Sequence, residues 1–141
     1  MKYIITEKQS RLLEESEKVL KIPSLSYFNN DWEVLQKFLE NRGNPPYSIS
    51  GDLDLNGITI ESLGNLKRVE GSLNLRETPI ESLGKLEYVG GSLILYETPI
   101  ESIGNLKYVG GDLYLERTPL SRTMSEDEIR SKVNVEDIIY I

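Results

Sequence analysis

A twenty-residue repeat dominates the middle of the chain and constrains its fold more than any other feature. Blocks begin at Gly51, Gly71, Gly91 and Gly111, each with the pattern Gly-x-Leu-x-Leu, and no residue is inserted between them. A fixed period of this length is typical of solenoids, in which one unit buries its apolar side only by stacking on the next. The sequence therefore predicts a stack of about four coils with a continuous core.

The apolar residues of the repeat fall into columns that recur at the same place in each block. The two leucines of each Leu-x-Leu alternate with a variable residue, which predicts a short parallel strand with one buried face. The remaining apolar columns would complete the coil. The columns are Leu53, Leu73, Leu93 and Leu113; Leu55, Leu75, Leu95 and Leu115; Ile60, Ile80, Ile100 and Leu120; Leu63, Leu83 and Ile103; Leu66, Leu86 and Leu106; and Val69, Val89 and Val109.

Glycine, threonine and proline mark the corners of each block. Gly71 and its counterparts precede the strands, and Gly64 and its counterparts lie between two apolar positions. Recurring glycine predicts positive φ or close backbone approach at these corners. Thr78-Pro79 and its counterparts follow the strands, and proline is expected to end the ladder because it has no N–H donor.

The run Leu-x-Leu-x-x-Thr-x-Ile resembles the core of the leucine-rich repeat. The family usually has Asn or Cys where this chain has Thr78, Thr98 and Thr118, and the first block has Ile58 there. The apolar residue before the strand, such as Val69, is also one position further from the strand than is usual. The resemblance implies an α/β solenoid with a concave binding face. The departures leave the loop path open, with a generic parallel β-solenoid as the alternative.

The chain as a whole is similar to short leucine-rich-repeat proteins encoded by bacteriophages. The similarity rests on the opening Met1-Lys-Tyr-Ile-Ile-Thr-Glu, the junction Asn44-Pro-Pro-Tyr-Ser-Ile-Ser-Gly-Asp-Leu and the repeated Thr-Pro-Ile-Glu-Ser-Leu/Ile-Gly. It implies expression inside a bacterial host and names no partner.

The segment before the repeat predicts a helical cap, because a solenoid exposes apolar surface at its ends. A capping box at Thr6 opens a helix over about 7–20, which Pro23 ends. Asn30 is the expected N-cap of a second helix over 31–41.

The segment after the repeat predicts a second cap. Ser125 to Glu128 forms a capping box that opens a helix to about Val133, and residues 138–141 are expected to form a last strand or an extended tail. The predicted organisation is one folding unit with an N-terminal helical cap over 1–46, a leucine-rich-repeat solenoid over 47–120 and a C-terminal helix and strand cap over 121–141.

Composition narrows the function classes. The chain has no cysteine and no histidine, which excludes disulfides, thiolate chemistry and catalytic triads that need either residue. A formal net charge of −7 without a Lys/Arg cluster disfavours direct nucleic-acid binding. The simplest interpretation of the net charge is solubility. The more specific alternative is an acidic surface that mimics DNA and blocks a nucleic-acid-binding partner.

Neither a membrane span nor a bound cofactor is expected. The sequence has no sustained apolar run, which predicts a cytoplasmic protein without a signal peptide, in the host cytoplasm if it is phage-encoded. Glu61, Glu81 and Glu101 recur once per coil, which is too few oxygens for Ca²⁺, so we expect a solvated ladder and no metal site.

The columns that vary between blocks contain the candidate binding residues. Folding explains the repeated positions, so the unrepeated ones on the exposed face of the strands are free for function. Neighbouring strands would bring their side chains roughly 5 Å apart. Exposed aromatics beside charges are typical of interface anchors, although cross-strand packing alone would also explain them. The candidate protein-binding residues are Asp54, Asn74, Arg76, Ile94, Tyr96, Tyr114 and Glu116.

A second candidate patch lies in the column before the valines. Arg68, Tyr88 and Tyr108 share this column, where a solvent cover for the convex side is the favoured interpretation. Lys67 and Glu87 beside them are expected to form charge pairs along the stack.

These features predict a non-catalytic protein–protein interaction module. With the bacteriophage resemblance, the specific hypothesis is an accessory protein that binds and modulates a bacterial host protein, such as a component of a defence system. The alternative is a structural or assembly component that acts by self-association. Catalysis is disfavoured, because Asp52 and Asp54 are a carboxylate pair without an evident partner base.

Overall fold

The computed structural model describes residues 19–141, and these form a stack of coils built on two sheets of parallel strands. A complete repeat block contributes one strand to each sheet, whereas the Leu-x-Leu pattern predicted one strand per block. The six-stranded sheet contains, in spatial order, β1 (Leu20–Ile22), β2 (Tyr47–Ile49), β4 (Leu66–Val69), β6 (Tyr88–Val89), β8 (Tyr108–Val109) and β10 (Asn134–Val135). The five-stranded sheet contains, in spatial order, β11 (Ile139–Tyr140), β9 (Leu113–Tyr114), β7 (Leu93–Ile94), β5 (Leu73–Asn74) and β3 (Leu53–Asp54).

The helices of the described residues lie on the flanks of the repeat. They are a 3-10 helix at Leu25–Phe28, α1 at Trp32–Glu40, α2 at Leu120–Thr123 and α3 at Glu126–Lys132. The helix expected over 7–20 lies outside the described residues apart from its end. That end was wrong, because Leu20 begins strand β1 and pairs with Tyr47 of β2.

Helix α1 is capped one residue later than expected. The Asp31 carboxylate accepts hydrogen bonds from the backbone N–H groups of Glu33 (2.9 Å) and Val34 (3.4 Å), so Asp31 is the N-cap. Asn30 cannot cap the helix because its φ of 56° is left-handed, whereas an N-cap residue has an extended backbone. Trp32, Leu35 and Leu39 form the buried face of the helix.

The core is a continuous column of aliphatic side chains that runs through the coils. Each apolar position of the repeat that was expected in the core is buried. Residues twenty apart are register partners in the five-stranded sheet, as Leu53 with Leu73 and Leu73 with Leu93. Equivalent aliphatic side chains of successive coils therefore pack on one another along the stack, as expected for a solenoid.

A buried threonine closes the turn after three of the repeat strands. The Thr78 hydroxyl donates to the carbonyl oxygen of Leu75 at 2.8 Å, and the Thr78 N–H donates to the same oxygen at 3.2 Å. Thr98 and Thr118 make the same hydroxyl bond to the carbonyl three residues earlier. These side-chain bonds stay within one coil, so the threonine hydroxyls satisfy each turn locally and do not link coils.

The repeated glycines divide into the two kinds that the sequence predicted. Gly64 and its counterparts have positive φ, 65° at Gly64. Gly71 and its counterparts approach the preceding coil closely, since a Cβ on Gly71 would collide with Asp52. Gly90 and Gly110 form a third column, which also approaches the preceding coil closely. A Cβ on Gly110 would collide with the backbone oxygen of Gly90.

The C-terminal segment continues both sheets. The capping box at Ser125 is present, and α3 follows it to Lys132. Strands β10 and β11 then pair in parallel with β8 and β9. Ile139 is the register partner of Leu113, so it occupies the leucine column that the repeat established. The last strand expected within 138–141 is confirmed at Ile139–Tyr140.

We predict that Gly110→Ala destabilises the fold by about 1–3 kcal/mol, because the added methyl group meets a rigid backbone oxygen and forces the coils apart. Glu70→Ala is the matched control two coils earlier, where a Cβ is already present. It removes only an exposed ion pair with Arg68, at 3.1 Å, and should change the free energy of unfolding by about 1 kcal/mol or less. Urea unfolding followed by circular dichroism measures both. Equal effects of the two substitutions would contradict a close approach at Gly110.

Tyr47 has its hydroxyl group buried between the helical flank and the first repeat block. The hydroxyl donates to the carbonyl oxygen of Leu63 at 2.8 Å and accepts from the Gln36 side-chain amide at 3.2 Å. Burial raises the pKa of Tyr47 far above its ordinary value of 10.0, and the hydrogen bond from Gln36 offsets a smaller part. The folded protein therefore keeps this proton where the unfolded chain loses it.

We predict a loss of stability as the pH rises above about 10, where the unfolded state binds fewer protons than the folded state. The contribution of Tyr47 is fully present below the unfolded pKa and falls by up to about 1.4 kcal/mol per pH unit above it. Tyr47→Phe should lower the free energy of unfolding by about 1 kcal/mol at neutral pH. It should also reduce the further loss of stability above about pH 10. Urea unfolding across this pH range measures both effects, and an unchanged alkaline slope would contradict the prediction.

Candidate functional site

The variable columns lie side by side on the exposed face of the five-stranded sheet. In the column between the leucines, Asn74 pairs with Ile94, Ile94 with Tyr114, and Tyr114 with Tyr140. The leucines on either side of Asn74, Ile94 and Tyr114 are buried. Because successive side chains of a strand point to opposite faces, the variable residues face outward. The backbone register thus brings residues from several blocks onto one surface.

We call this surface the binding face. A cavity of about 370 Å³ lies in its middle. Five of the candidate residues line the cavity together with Ser92, which sequence reasoning missed. The lining residues are Arg76, Ser92, Ile94, Tyr96, Tyr114 and Glu116. The cavity combines apolar and aromatic walls with one cationic and one anionic side chain.

The other two candidates lie outside the cavity. Asn74 and Asp54 each accept a hydrogen bond from the backbone N–H two residues later, at 3.0 and 3.1 Å. Asp52, the other member of the carboxylate pair, accepts from the Ser72 N–H at 2.8 Å. The structure therefore gives these side chains local roles in the turns and between coils.

The aromatic rings of the binding face are held by neighbouring side chains. Tyr114 stacks on Tyr140, with ring centroids 4.7 Å apart and planes inclined by 7°. The Tyr114 hydroxyl hydrogen-bonds to Asp112 at 3.3 Å. Burial raises the pKa of Tyr114, with the Asp112 charge as the second cause. The repeat did not reveal Tyr140, although Ile-Tyr-Ile at the end of the chain matches Leu-Tyr-Leu in the fourth block.

The cationic side chains of the binding face already have carboxylate partners. The Arg117 guanidinium lies 2.8 Å from Glu97, and Arg76 lies 3.7 Å from Glu77. The hydrogen bond from Arg117 is the main reason that the pKa of Glu97 is lowered. Arg76 and Arg117 also lie near the ring of Tyr96, with their guanidinium carbons 4.8 and 5.8 Å from its centroid.

Glu116 differs from the other carboxylates of the binding face. Its side chain is half-buried, and its Oε1 atom is shielded from solvent without a hydrogen-bond partner in residues 19–141. A buried acceptor left without a donor costs roughly 1–3 kcal/mol, and more when it is charged. The described residues thus leave a carboxylate that lines the cavity without an ion pair or a hydrogen bond.

The second candidate patch is a stack along the six-stranded sheet. The Arg68 guanidinium lies 3.8 Å from the centroid of the Tyr88 ring, and Tyr88 stacks on Tyr108 with centroids 5.0 Å apart. Beside it, Lys67 forms the expected ion pair with Glu87, at 3.1 Å. Each member contacts its neighbour on the next coil, which favours the structural interpretation of this patch.

Within residues 19–141, no group of three acidic side chains is placed to hold a metal ion. None of the helices in this range is long and apolar enough to cross a bilayer.

A comparison of the chain with protein-family models, curated proteins and solved structures found no match. The function is therefore inferred from the binding face and its chemistry.

We predict that Tyr88→Ala lowers the free energy of unfolding by about 1–2 kcal/mol, because it removes the ring that lies between the Arg68 guanidinium and the Tyr108 ring. Tyr88→Phe keeps the ring and should be nearly neutral, which makes it the matched control. Thermal and urea unfolding measure both. A stack without structural importance would show the same small effect for alanine and phenylalanine.

Proposed function

We propose that this chain is a non-catalytic module that binds another protein through the binding face. The observation that carries the proposal is the cavity itself. It forms at the variable positions of an otherwise regular repeat, and it is lined by Ile94, Tyr96 and Tyr114 with Arg76 and Glu116 at its sides. Repeated positions maintain the coil, so the departure from repetition at this surface favours a role beyond folding.

The chemistry of the cavity suits a protein partner. Tyrosine and arginine are enriched in protein interfaces, and buried aromatic anchors contribute a large share of binding energy. Tyr114 is already restrained by its stack on Tyr140, which lowers the entropy lost when a partner orders it. Five strands at about 4.8 Å spacing span roughly 20 Å, so the partner would present a compact epitope.

The resemblance to leucine-rich-repeat proteins of bacteriophages supports a more specific version of this proposal. In that version the chain is an accessory protein in the cytoplasm of a bacterial host, where it binds and modulates a host protein such as a defence component. The resemblance rests on the opening, the junction and the repeat motif described above, and the cavity supplies the surface for contact.

Self-association is the second candidate function. Strand β11 is an edge of the five-stranded sheet, and Ile138 and Ile141 beside it are exposed by 53% and 49%. An apolar edge strand is a template for pairing with another chain. This alternative predicts a partner that is a second copy of the same protein.

We predict that the double variant Tyr96→Asp/Tyr114→Asp loses proteins that the wild type retains in affinity capture from bacterial lysate. With a purified partner, binding should weaken by at least roughly thirtyfold, because interface anchors are worth about 2 kcal/mol or more. Mass spectrometry and isothermal titration calorimetry measure the two effects.

Tyr27→Asp is the matched control for this experiment, because Tyr27 is 72% exposed on the 3-10 helix, outside the cavity lining. It should retain the same proteins as the wild type. Equal capture by the double variant would contradict the proposed surface. Capture of the chain itself alone, confirmed by a mass in solution that rises with concentration, would favour self-association instead.

A further inference from the structure

We propose that the cavity of the binding face receives an arginine side chain, with its guanidinium group between the Tyr114 ring and Glu116. This inference rests on the proposed function, because it names the group of the bound protein that the same face would recognise.

The first reason is the unpaired carboxylate of Glu116. The side chain lines the cavity and has neither an ion pair nor a hydrogen-bond partner among the described residues. Its Oε1 atom is shielded from solvent, so a cationic donor that enters the cavity would reach the other oxygen of the carboxylate and neutralise its charge. Hydrogen bonds between a guanidinium and a carboxylate are among the strongest in proteins. An acidic side chain would instead be repelled by this charge.

The second reason is the aromatic wall. A guanidinium within about 6 Å of a ring centroid is attracted by the negative face of the ring. Arg76 and Arg117 of this chain already lie within that distance of Tyr96, so the ring open to a further guanidinium is that of Tyr114. The Tyr114 ring stands beside the cavity, with Tyr140 stacked on it. Arginine fits such a site better than lysine, because its planar group can stack on a ring and donate to a carboxylate at once.

The third reason is the distribution of charge. Arg76 belongs to the second repeat block and Glu116 to the fourth, with Tyr96 between them. The charge of Arg117, the neighbour of Glu116, is offset by Glu97 at 2.8 Å. Arg76 lies 3.7 Å from its carboxylate partner Glu77 and repels an entering cation more, so the guanidinium is directed to the Glu116 end of the cavity. The chain's formal net charge of −7 adds a general attraction for a basic epitope.

The test uses two blocked pentapeptides that differ at one residue, Ac-Gly-Gly-Arg-Gly-Gly-NH₂ and the same peptide with citrulline. Citrulline has the shape of arginine without its charge. Each peptide is titrated into ¹⁵N-labelled full-length protein and followed by two-dimensional NMR. We expect saturable shifts at the amides around Ile94, Tyr96 and Tyr114, with arginine at least about tenfold tighter than citrulline.

Glu116→Gln keeps the shape of the side chain and removes its charge. The preference for arginine over citrulline should fall to near one in this variant, whereas Glu101→Gln, an exposed carboxylate outside the cavity, should leave it unchanged. Arg76→Gln should tighten binding of the arginine peptide. The stability of Glu116→Gln is a separate readout, because a merely structural carboxylate would lower the free energy of unfolding when replaced, and an unpartnered one would not.

Equal binding of the two peptides, or no saturable shift up to roughly 20 mM, would overturn the inference. Failure of the proposed function looks different. A captured protein that depends on Tyr96 and Tyr114 but binds Glu116→Gln as tightly as wild type would keep the protein-binding function and remove the arginine. A clear arginine preference without any captured protein would keep the arginine site and contradict the wider function.

Discussion

The backbone hydrogen bonds between successive coils determine most of what this molecule can be. Neighbouring strands in the five-stranded sheet are linked by backbone hydrogen bonds. The Leu73 N–H donates to the carbonyl oxygen of Ser92 at 2.9 Å, and the Leu93 N–H donates to the carbonyl oxygen of Asp112 at 3.0 Å. Such bonds set a spacing of about 4.8 Å between equivalent residues. At that spacing a leucine packs on a leucine, and a glycine such as Gly110 is needed where one backbone meets the next. The regular columns of the sequence are the consequence of this single spacing.

The same spacing creates the surfaces on both sides of the stack. Residues twenty positions apart become neighbours, so an aromatic column yields stacked rings without any dedicated loop. In the six-stranded sheet, the rings of Tyr88 and Tyr108 stack on each other, and the guanidinium of Arg68 lies over the Tyr88 ring. The five-stranded sheet differs because the Glu116 carboxylate, whose side chain lines the cavity, has no ion pair or hydrogen bond among the described residues. A stack whose members contact one another serves folding, whereas an unpaired charge beside a cavity favours binding of a complementary group.

The sequence predicted the stack, its apolar columns, and five of the residues that line the cavity. It did not predict the second strand of each coil, because Leu66 and Val69 are three apart and show no alternation of period two. It placed the N-cap of α1 at Asn30, since composition alone does not distinguish two adjacent capping residues when only the backbone angle separates them. Tyr140 was missed because Ile139 follows its register partner Leu113 by 26 residues and not by twenty, so the repeat period does not lead to it.

That last coil changes how the C-terminal segment should be understood. A cap need only cover the apolar end of a stack, and Ile139 in the leucine column does so. The same strand also places Tyr140 against Tyr114, which restrains a ring beside the cavity. Because the face is too narrow to surround a partner, affinity must come from a few well-held side chains. The terminal coil therefore contributes to the site as well as to the stability of the stack, and the two roles depend on the same backbone register.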